Sequence, residues 1–173
     1  MKYIYATLQL LIITISFNCK SSSVLPNANS EFSNLKINSR LIDKNEDKLV
    51  DSFELFINDS IQTKIKKYNS KIEATNYFKK SKAEVKITFY EENSVLNLIR
   101  IKEESNKYDE TDKYIDYMIE NNKIKDFHLY YGHQLGLPLD LNKNIYEQYG
   151  LNQFLTEHFY RNFSFEIYKK LNK

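Results

Sequence analysis

The chain has 173 residues, of which 42% are hydrophobic and 14% aromatic, so it has enough apolar material for the core of one domain and is not a disordered chain. Its 25 basic and 23 acidic residues leave a net charge of +2, whereas dedicated nucleic-acid-binding proteins usually carry a strong basic excess. The 3 Gly and 2 Pro exclude collagen-like and Pro-rich classes, and the single Cys excludes an internal disulfide and a Cys-based zinc site.

The N-terminal segment has the features of a secretion signal. A lysine at the second position is followed by the apolar run Ile4–Phe17, which is shorter than the ~20 apolar residues that a membrane span needs. The stretch Ser16–Cys19 ends this run and resembles a relaxed form of the bacterial lipoprotein signal. The resemblance implies that residues 1–18 are a signal peptide and that Cys19 carries the lipid, including palmitate. The alternative is ordinary secretion, with Cys19 as an incidental thiol.

A tether and one domain follow the predicted signal. Residues 19–37 are rich in Ser and Asn and show no regular apolar spacing, so they predict a flexible tether. Residues 38–173 then form a single domain. With a lipid on Cys19, the resemblance implies a membrane-anchored protein of the bacterial cell envelope that faces the periplasm or the cell surface.

The predicted domain begins with an acidic segment whose oxygen-bearing residues are spaced like ligands around a hard cation. This segment, residues 43–54, resembles the calcium loop of the EF-hand and dockerin type. The residues at its ligand positions are Asp43, Asn45, Asp47, Leu49 (through its carbonyl), Asp51 and Glu54. Lys48 replaces the Gly that makes the sharp turn in such loops, and Phe53–Ile57 alternates like a strand. The segment therefore predicts either a calcium site or a polar turn without an ion.

Seven stretches of the domain show apolar residues alternating with polar ones, which is typical of strands with one buried face. They are residues 53–58, 61–68, 72–78, 83–91, 94–102, 113–119 and 123–131. Short turns rich in Asn and Asp join several of them, which favours antiparallel neighbours. The predicted fold is α+β, an antiparallel β-meander of about six to seven strands covered by a C-terminal helix.

The pattern changes after the last predicted strand. Two Gly and one Pro within residues 132–138 indicate a loop. Residues 144–149 predict a short helix closed by Gly150. Apolar residues at every fourth position predict a longer helix over residues 152–171, with Phe154 on its apolar stripe. A one-sided sheet needs such a cover.

The three histidines are the remaining candidates for catalysis or metal binding. His128 and His133 are close in sequence to Asp126, so a metal site or an acid–base pair is one hypothesis. Their spacing matches no known ligand motif, and the sequence contains neither a phosphate-binding Gly-rich loop nor a nucleophile motif. His158 falls in the predicted C-terminal helix. The alternative hypothesis is that all three are structural or surface residues.

Charge is distributed unevenly along the chain. Lysines cluster over residues 64–86 and acidic residues over 103–120. The clusters predict a basic face that meets anionic lipid or an acidic partner. The alternative is a solvated surface whose lysines protect the sheet edges.

These features predict a non-catalytic, lipid-anchored envelope protein that binds a protein or another ligand. The candidate binding surfaces are the exposed face of the sheet and the loop Gly132–Leu141. One specific form is an immunity or inhibitor lipoprotein, because such proteins are small, have one domain and lack catalytic motifs. The alternatives are a calcium-stabilised structural module and a hydrolase that uses His128 and His133. The predicted partners are the membrane, through the lipid, and an envelope protein, but no nucleic acid.

Overall fold

The computed structural model describes residues 28–45, 47–108, 111–132, 142 and 144–173. The chain divides into two compact units, Met1–Ser33 and Asn34–Lys173. The first unit is described only from the start of helix α1 (Ala28–Lys44). The predicted signal peptide, Cys19 and residues 133–141 of the predicted loop lie outside the described residues. No helix in the described part of the chain is long and apolar enough to cross a membrane.

Seven antiparallel strands form one sheet in the second unit, and their order in the sheet is their order in the chain. They are β1 (Leu49–Asn58), β2 (Ile61–Tyr68), β3 (Lys71–Phe78), β4 (Ala83–Glu92), β5 (Val95–Glu103), β6 (Lys113–Glu120) and β7 (Lys123–Tyr131). The prediction of an antiparallel meander is confirmed.

The tight turns of the meander depend on Asn. The β4–β5 and β6–β7 turns contain Asn93, Ser94, Asn121 and Asn122, all with φ between 52° and 64°. Two-residue hairpin turns require this left-handed conformation, and Asn tolerates it better than other residues with a side chain. A chain with few glycines therefore still makes short hairpins.

One face of the sheet is apolar and is covered by helix α3 (Glu157–Leu171), so the predicted C-terminal cover is confirmed. The core between them includes Ile65, Ile87, Phe89, Ile101, Ile115 and Tyr117 from the strands and Tyr160, Phe163 and Ile167 from the helix. The helix starts later than predicted, because the Thr156 side chain accepts a hydrogen bond from the Phe159 N–H and caps the first turn. Phe154 consequently precedes the helix and is 78% exposed, so its predicted place on the apolar stripe is wrong.

The short helix α2 (Ile145–Tyr149) forms where the sequence predicts it. Asn144 caps its first turn by accepting a hydrogen bond from the Tyr146 N–H. Gly150 ends the helix in the left-handed conformation, with φ of 67°. A Cβ atom at this position would lie 2.9 Å from the Cβ of Lys107, so both the backbone conformation and the available space require glycine.

The second face of the sheet, which we call the polar face, carries Arg100 and Asp116 beside the buried apolar side chains of Leu98 and Met118. The part of α1 within the second unit lies against this face through Ser39 and Asp43. The sequence predicts a flexible tether through residue 37, but residues 28–37 are helical. Ser39 is the only buried residue among residues 34–44, and the apolar Leu35 and Ile42 on the same side of the helix are half-buried. The sheet therefore has a helix on both faces rather than on one.

Candidate functional site

Arg100 is the centre of a polar network between helix α1 and the sheet. It stands in β5 between two buried isoleucines, so alternation along the strand turns its side chain to the polar face. Its Nε donates to Asp116 Oδ1 at 2.9 Å. Its Nη2 donates to Ser39 Oγ at 2.9 Å, and its Nη1 donates to Asp43 Oδ2 at 3.3 Å. One guanidinium thus joins two neighbouring strands to the helix.

Asp116 is the buried anion of this network, and none of its side chain is exposed. Besides the bond from Arg100, its Oδ2 accepts the Tyr130 hydroxyl at 3.3 Å and lies 3.6 Å from Lys36 Nζ. The Lys36 ammonium also donates to His128 Nδ1 at 3.0 Å. A buried carboxylate needs such partners, because an unpaired charge removed from water would strongly destabilise the fold.

Asp43 connects the end of α1 to a second row of charges. Its Oδ1 accepts a hydrogen bond from Lys71 Nζ at 3.0 Å, and its Oδ2 accepts the Tyr90 hydroxyl at 2.7 Å. Lys71 also pairs with Glu73 at 3.0 Å, and Glu73 pairs with Lys86 at 3.0 Å. Alternating charges therefore run from the helix across β3 to β4.

Between these charges lies an open groove of about 740 Å³ on the polar face. Its aromatic lining residues are Tyr68, Tyr90, Tyr114 and Tyr130, and we name it the tyrosine groove. The rings of Tyr114 and Tyr130 are stacked, with centroids 5.0 Å apart and planes 8° from parallel. Lys71 Nζ lies 5.3 Å from the centroid of the Tyr68 ring. The groove thus presents fixed aromatic rings among paired charges.

Tyr90, Arg100 and Tyr130 keep one charge state near neutral pH. Burial, and then the negative charge of Asp116, raises the pKa of Tyr130 to about 12. Burial is the main cause that raises the pKa of Tyr90; the charge of Arg100 opposes this rise, and the hydrogen bond to Asp43 adds to it. Burial lowers the pKa of the Arg100 guanidinium, but the bond and charge of Asp116 hold that pKa above its ordinary value. Fixed hydroxyls and fixed charges suit recognition, whereas proton transfer needs a group that titrates near the working pH.

No protein-family model, curated protein or solved structure matches this chain.

Of this site, sequence analysis singled out only Asp43, as a calcium ligand, and the exposed sheet face in general; it missed Arg100 and Asp116, although a signal for them exists. Arg100 and Asp116 are charged residues in the middle of β5 and β6 with an apolar or aromatic residue on each side, and both occupy positions that face away from the core. A charged residue in the middle of a central strand is unusual unless it is paired on a second covered face. This signal indicates that another part of the chain covers the polar face, but it does not identify the helix that does so.

Two of the predicted calcium ligands, Asp43 and Asp47, accept hydrogen bonds from other side chains of the protein. Asp43, in the last turn of α1, accepts the bonds from Lys71 and Tyr90. Asp47 accepts hydrogen bonds from the Ser70 N–H at 3.1 Å and the Ser70 hydroxyl at 2.5 Å. Burial raises the pKa of Asp47, but the bonds from Ser70 outweigh it and hold that pKa below its usual value. Asn45 is exposed.

The other predicted calcium ligands, Leu49, Asp51 and Glu54, belong to β1. Asp51 and Glu54 are three residues apart, so an extended strand directs their carboxylates to opposite faces, whereas a calcium loop gathers them on one ion. Across residues 28–173, excluding those the structure leaves undescribed, no group of three or more His, Cys, Asp or Glu side chains is placed to hold a metal ion. Calcium binding by residues 43–54 stays a prediction.

The structure places the described histidines on different elements. His128 lies exposed on β7, where its ring accepts the bond from Lys36, and His158 lies exposed on α3. Asp126 accepts a hydrogen bond from the backbone N–H of Phe127. His133 lies outside the described residues, so a role for His128 and His133 as an acid–base pair stays a prediction.

A second groove of about 1020 Å³ lies at one end of the sheet, near the start of α3. Its lining includes the apolar side chains of Ile61, Phe78 and Phe159, together with the exposed ring of Phe154. Polar side chains of several turns surround this apolar floor. The groove is a second concave surface, and the charged residues Lys80, Lys82, Glu84, Glu103, Glu104 and Glu147 are part of its lining.

A buried ion pair lies beside the second groove. Glu103 and Lys113 face each other across β5 and β6, with 1% and 2% of their side chains exposed. Glu103 also accepts the Tyr160 hydroxyl at 2.9 Å and the Asn152 N–H at 2.6 Å. Lys113 Nζ donates to the Leu155 carbonyl at 2.9 Å. The pair therefore fixes the entry into α3 against the sheet, which is a structural role.

Proposed function

We propose that the chain is a non-catalytic, lipid-anchored binding module of the bacterial cell envelope, and that the tyrosine groove is its surface for a protein or another ligand. The observation that carries this proposal is the groove, where four tyrosines and the cations Arg40, Lys71, Lys86, Arg100 and Lys102 surround one open concavity. Tyr and Arg are enriched among the residues that contribute most to binding energy, because each brings a large, rigid surface to an interface.

The tyrosine side chains are fixed before any partner arrives. The Tyr114 hydroxyl donates to Asp112 Oδ2 at 3.0 Å, and the Tyr130 hydroxyl donates to Asp116 Oδ2 at 3.3 Å. A side chain that is already ordered loses little conformational entropy on binding, so such preorganisation favours affinity. The raised pKa of Tyr130 supports a binding role over an acid–base role at neutral pH.

The proposed anchor gives the module its place in the cell. A lipid on Cys19 would hold the domain at the membrane, where it meets partners of the same compartment. An immunity or inhibitor lipoprotein is one specific form of this function. We expect the wild-type chain to incorporate labelled palmitate and to remain in the membrane fraction, and Cys19→Ser to lose the label. A chain that stays labelled after this substitution would contradict lipidation at Cys19.

The groove is tested by capture from the native envelope with matched tyrosine variants. Tyr114→Ala changes the groove, whereas Tyr77→Ala changes an exposed tyrosine of β3 that does not line it. Because truncation of a central binding residue typically weakens a complex at least ~10-fold, Tyr114→Ala should reduce the captured partner by about that factor. Tyr77→Ala should leave capture unchanged. Equal capture by both variants would refute the assignment of the groove.

A further inference from the structure

Helix α1 has a second surface that points away from the sheet. Over residues 34–44, the side toward the sheet contains Ser39 and Asp43, with the half-buried Leu35 and Ile42 beside them. The outward side carries Ile37 and Leu41, which are 53% and 54% exposed. Residues four apart lie one above the other on a helix, so these two form one apolar stripe.

Basic side chains flank the apolar pair. Arg40 and Lys44 are exposed, and the helical spacing places them beside Ile37 and Leu41. The one acidic residue among residues 34–44 is Asp43, whose carboxylate is bound by Lys71 and Arg100. The outward side is therefore apolar in the middle and positive at its margins. We name Ile37, Arg40, Leu41 and Lys44 the outward stripe.

We infer that the outward stripe contacts an anionic lipid surface. Apolar side chains with Lys and Arg beside them are typical of helices that lie in the membrane interface. The inference rests on the proposed lipid anchor. Cys19 precedes Ile37 by 18 residues, and the chain is helical from Ala28 onward, so this length spans at most ~45 Å and an anchored domain remains near the bilayer. Tethering makes the contact intramolecular, so a small stripe is sufficient.

This contact also orients the tyrosine groove. Arg40 belongs to the outward stripe and also lines the groove, so the two surfaces meet along α1. When the stripe lies on the membrane, the groove opens beside the bilayer rather than away from it. The partner of the groove is then a molecule at the membrane surface.

The test uses the full-length chain with Cys19→Ser, so that one engineered cysteine carries an environment-sensitive fluorophore. Leu41→Cys reports on the outward stripe, and Val95→Cys, which is 58% exposed at the start of β5, is the matched control. Phosphatidylcholine vesicles with and without phosphatidylglycerol are the probes. We expect a blue shift of the label at position 41 with the anionic vesicles only, and its loss at high salt. The label at position 95 should not shift.

A charge reversal tests the electrostatic part of the inference. Lys44→Glu, made together with the labelled Leu41→Cys, should weaken the response to anionic vesicles about tenfold, because it removes one attraction and adds one repulsion. Lys169→Glu, an exposed change on α3, should leave the response unchanged.

Three results would overturn the inference. The first is no fluorescence shift at either labelled position, and the second is an equal shift at both. The third combines two experiments: vesicles give no response, but Leu41→Asp loses a protein that the wild-type chain captures. The last result would assign the stripe to a protein partner. The vesicle experiment uses a chain without lipid on residue 19, so its result does not depend on the anchor. The anchor itself is tested by the palmitate experiment, where a wild-type chain that takes up no palmitate would refute it.

Discussion

Asp116→Ala is the sharpest test of the polar network around Arg100. The Asp116 side chain is fully buried and accepts bonds from Arg100 Nε at 2.9 Å and from the Tyr130 hydroxyl at 3.3 Å. Removing one partner of a buried ion pair costs about 3–5 kcal/mol. Because Asp43 still lies 3.3 Å from the guanidinium, we expect the lower part of that range, about 3–4 kcal/mol, in the free energy of unfolding.

The loss is measured by urea unfolding followed by circular dichroism at neutral pH. The matched control is Glu120→Ala on the same strand, where the carboxylate is 53% exposed and pairs with Lys125 at 3.2 Å. Exposed pairs contribute about 0–1 kcal/mol, so this variant should unfold almost like the wild type. Asp116→Asn keeps the shape of the side chain and should fall between the two. If Asp116→Ala unfolds cooperatively with a loss no greater than that of Glu120→Ala, the buried network does not stabilise the fold as argued.

Three further predictions concern other parts of the molecule. Glu103→Gln should lower the free energy of unfolding by about 3 kcal/mol, because it leaves the buried charge of Lys113 uncompensated; urea unfolding at the wild-type midpoint would contradict this. The pKa of Tyr130 is raised from 10.0 to about 12, so its contribution is complete below pH 10 and is lost as the pH rises toward 12. Stability should therefore decline over that interval, less steeply in Tyr130→Phe, and equal slopes would count against the assignment. Asp47→Ala should lower the melting temperature equally in calcium and in chelator, because it removes two bonds to Ser70; a loss confined to calcium would favour the calcium-loop hypothesis.

The sheet could be predicted because contact with the core imposes a local pattern. Each strand buries alternate residues under α3, so apolar residues recur with period two, as at Val85, Ile87 and Phe89 in β4. The turns were predictable for a related reason, since positive φ restricts the choice of residues at Asn93 and Asn121. Both signals lie within about ten residues of sequence, which is the range that pattern analysis can use.

The polar face could not be predicted because its contacts are distant in sequence and have no period. Arg100 meets Ser39, which is 61 residues away, and Tyr90 meets Asp43, which is 47 residues away. The oxygen-bearing residues of segment 43–54 can converge on one cation only if the whole segment forms a loop. Because the chain is extended from Leu49, the carboxylates separate, and Asp43 is free to pair with cations of the sheet.

The strictly sequential strand order has a consequence for how the chain reaches its native state. Each strand pairs with the one made just before it, so no long loop must close before a ladder forms, and β-structure of this kind is comparatively quick to assemble. The cover of the apolar face, Glu157–Leu171, follows all seven strands in the chain. A chain that emerges from its N-terminus therefore exposes Ile87, Ile101 and Ile115 until α3 has been synthesised. During this interval the exposed apolar face can associate with other chains, so this topology makes aggregation during synthesis a risk.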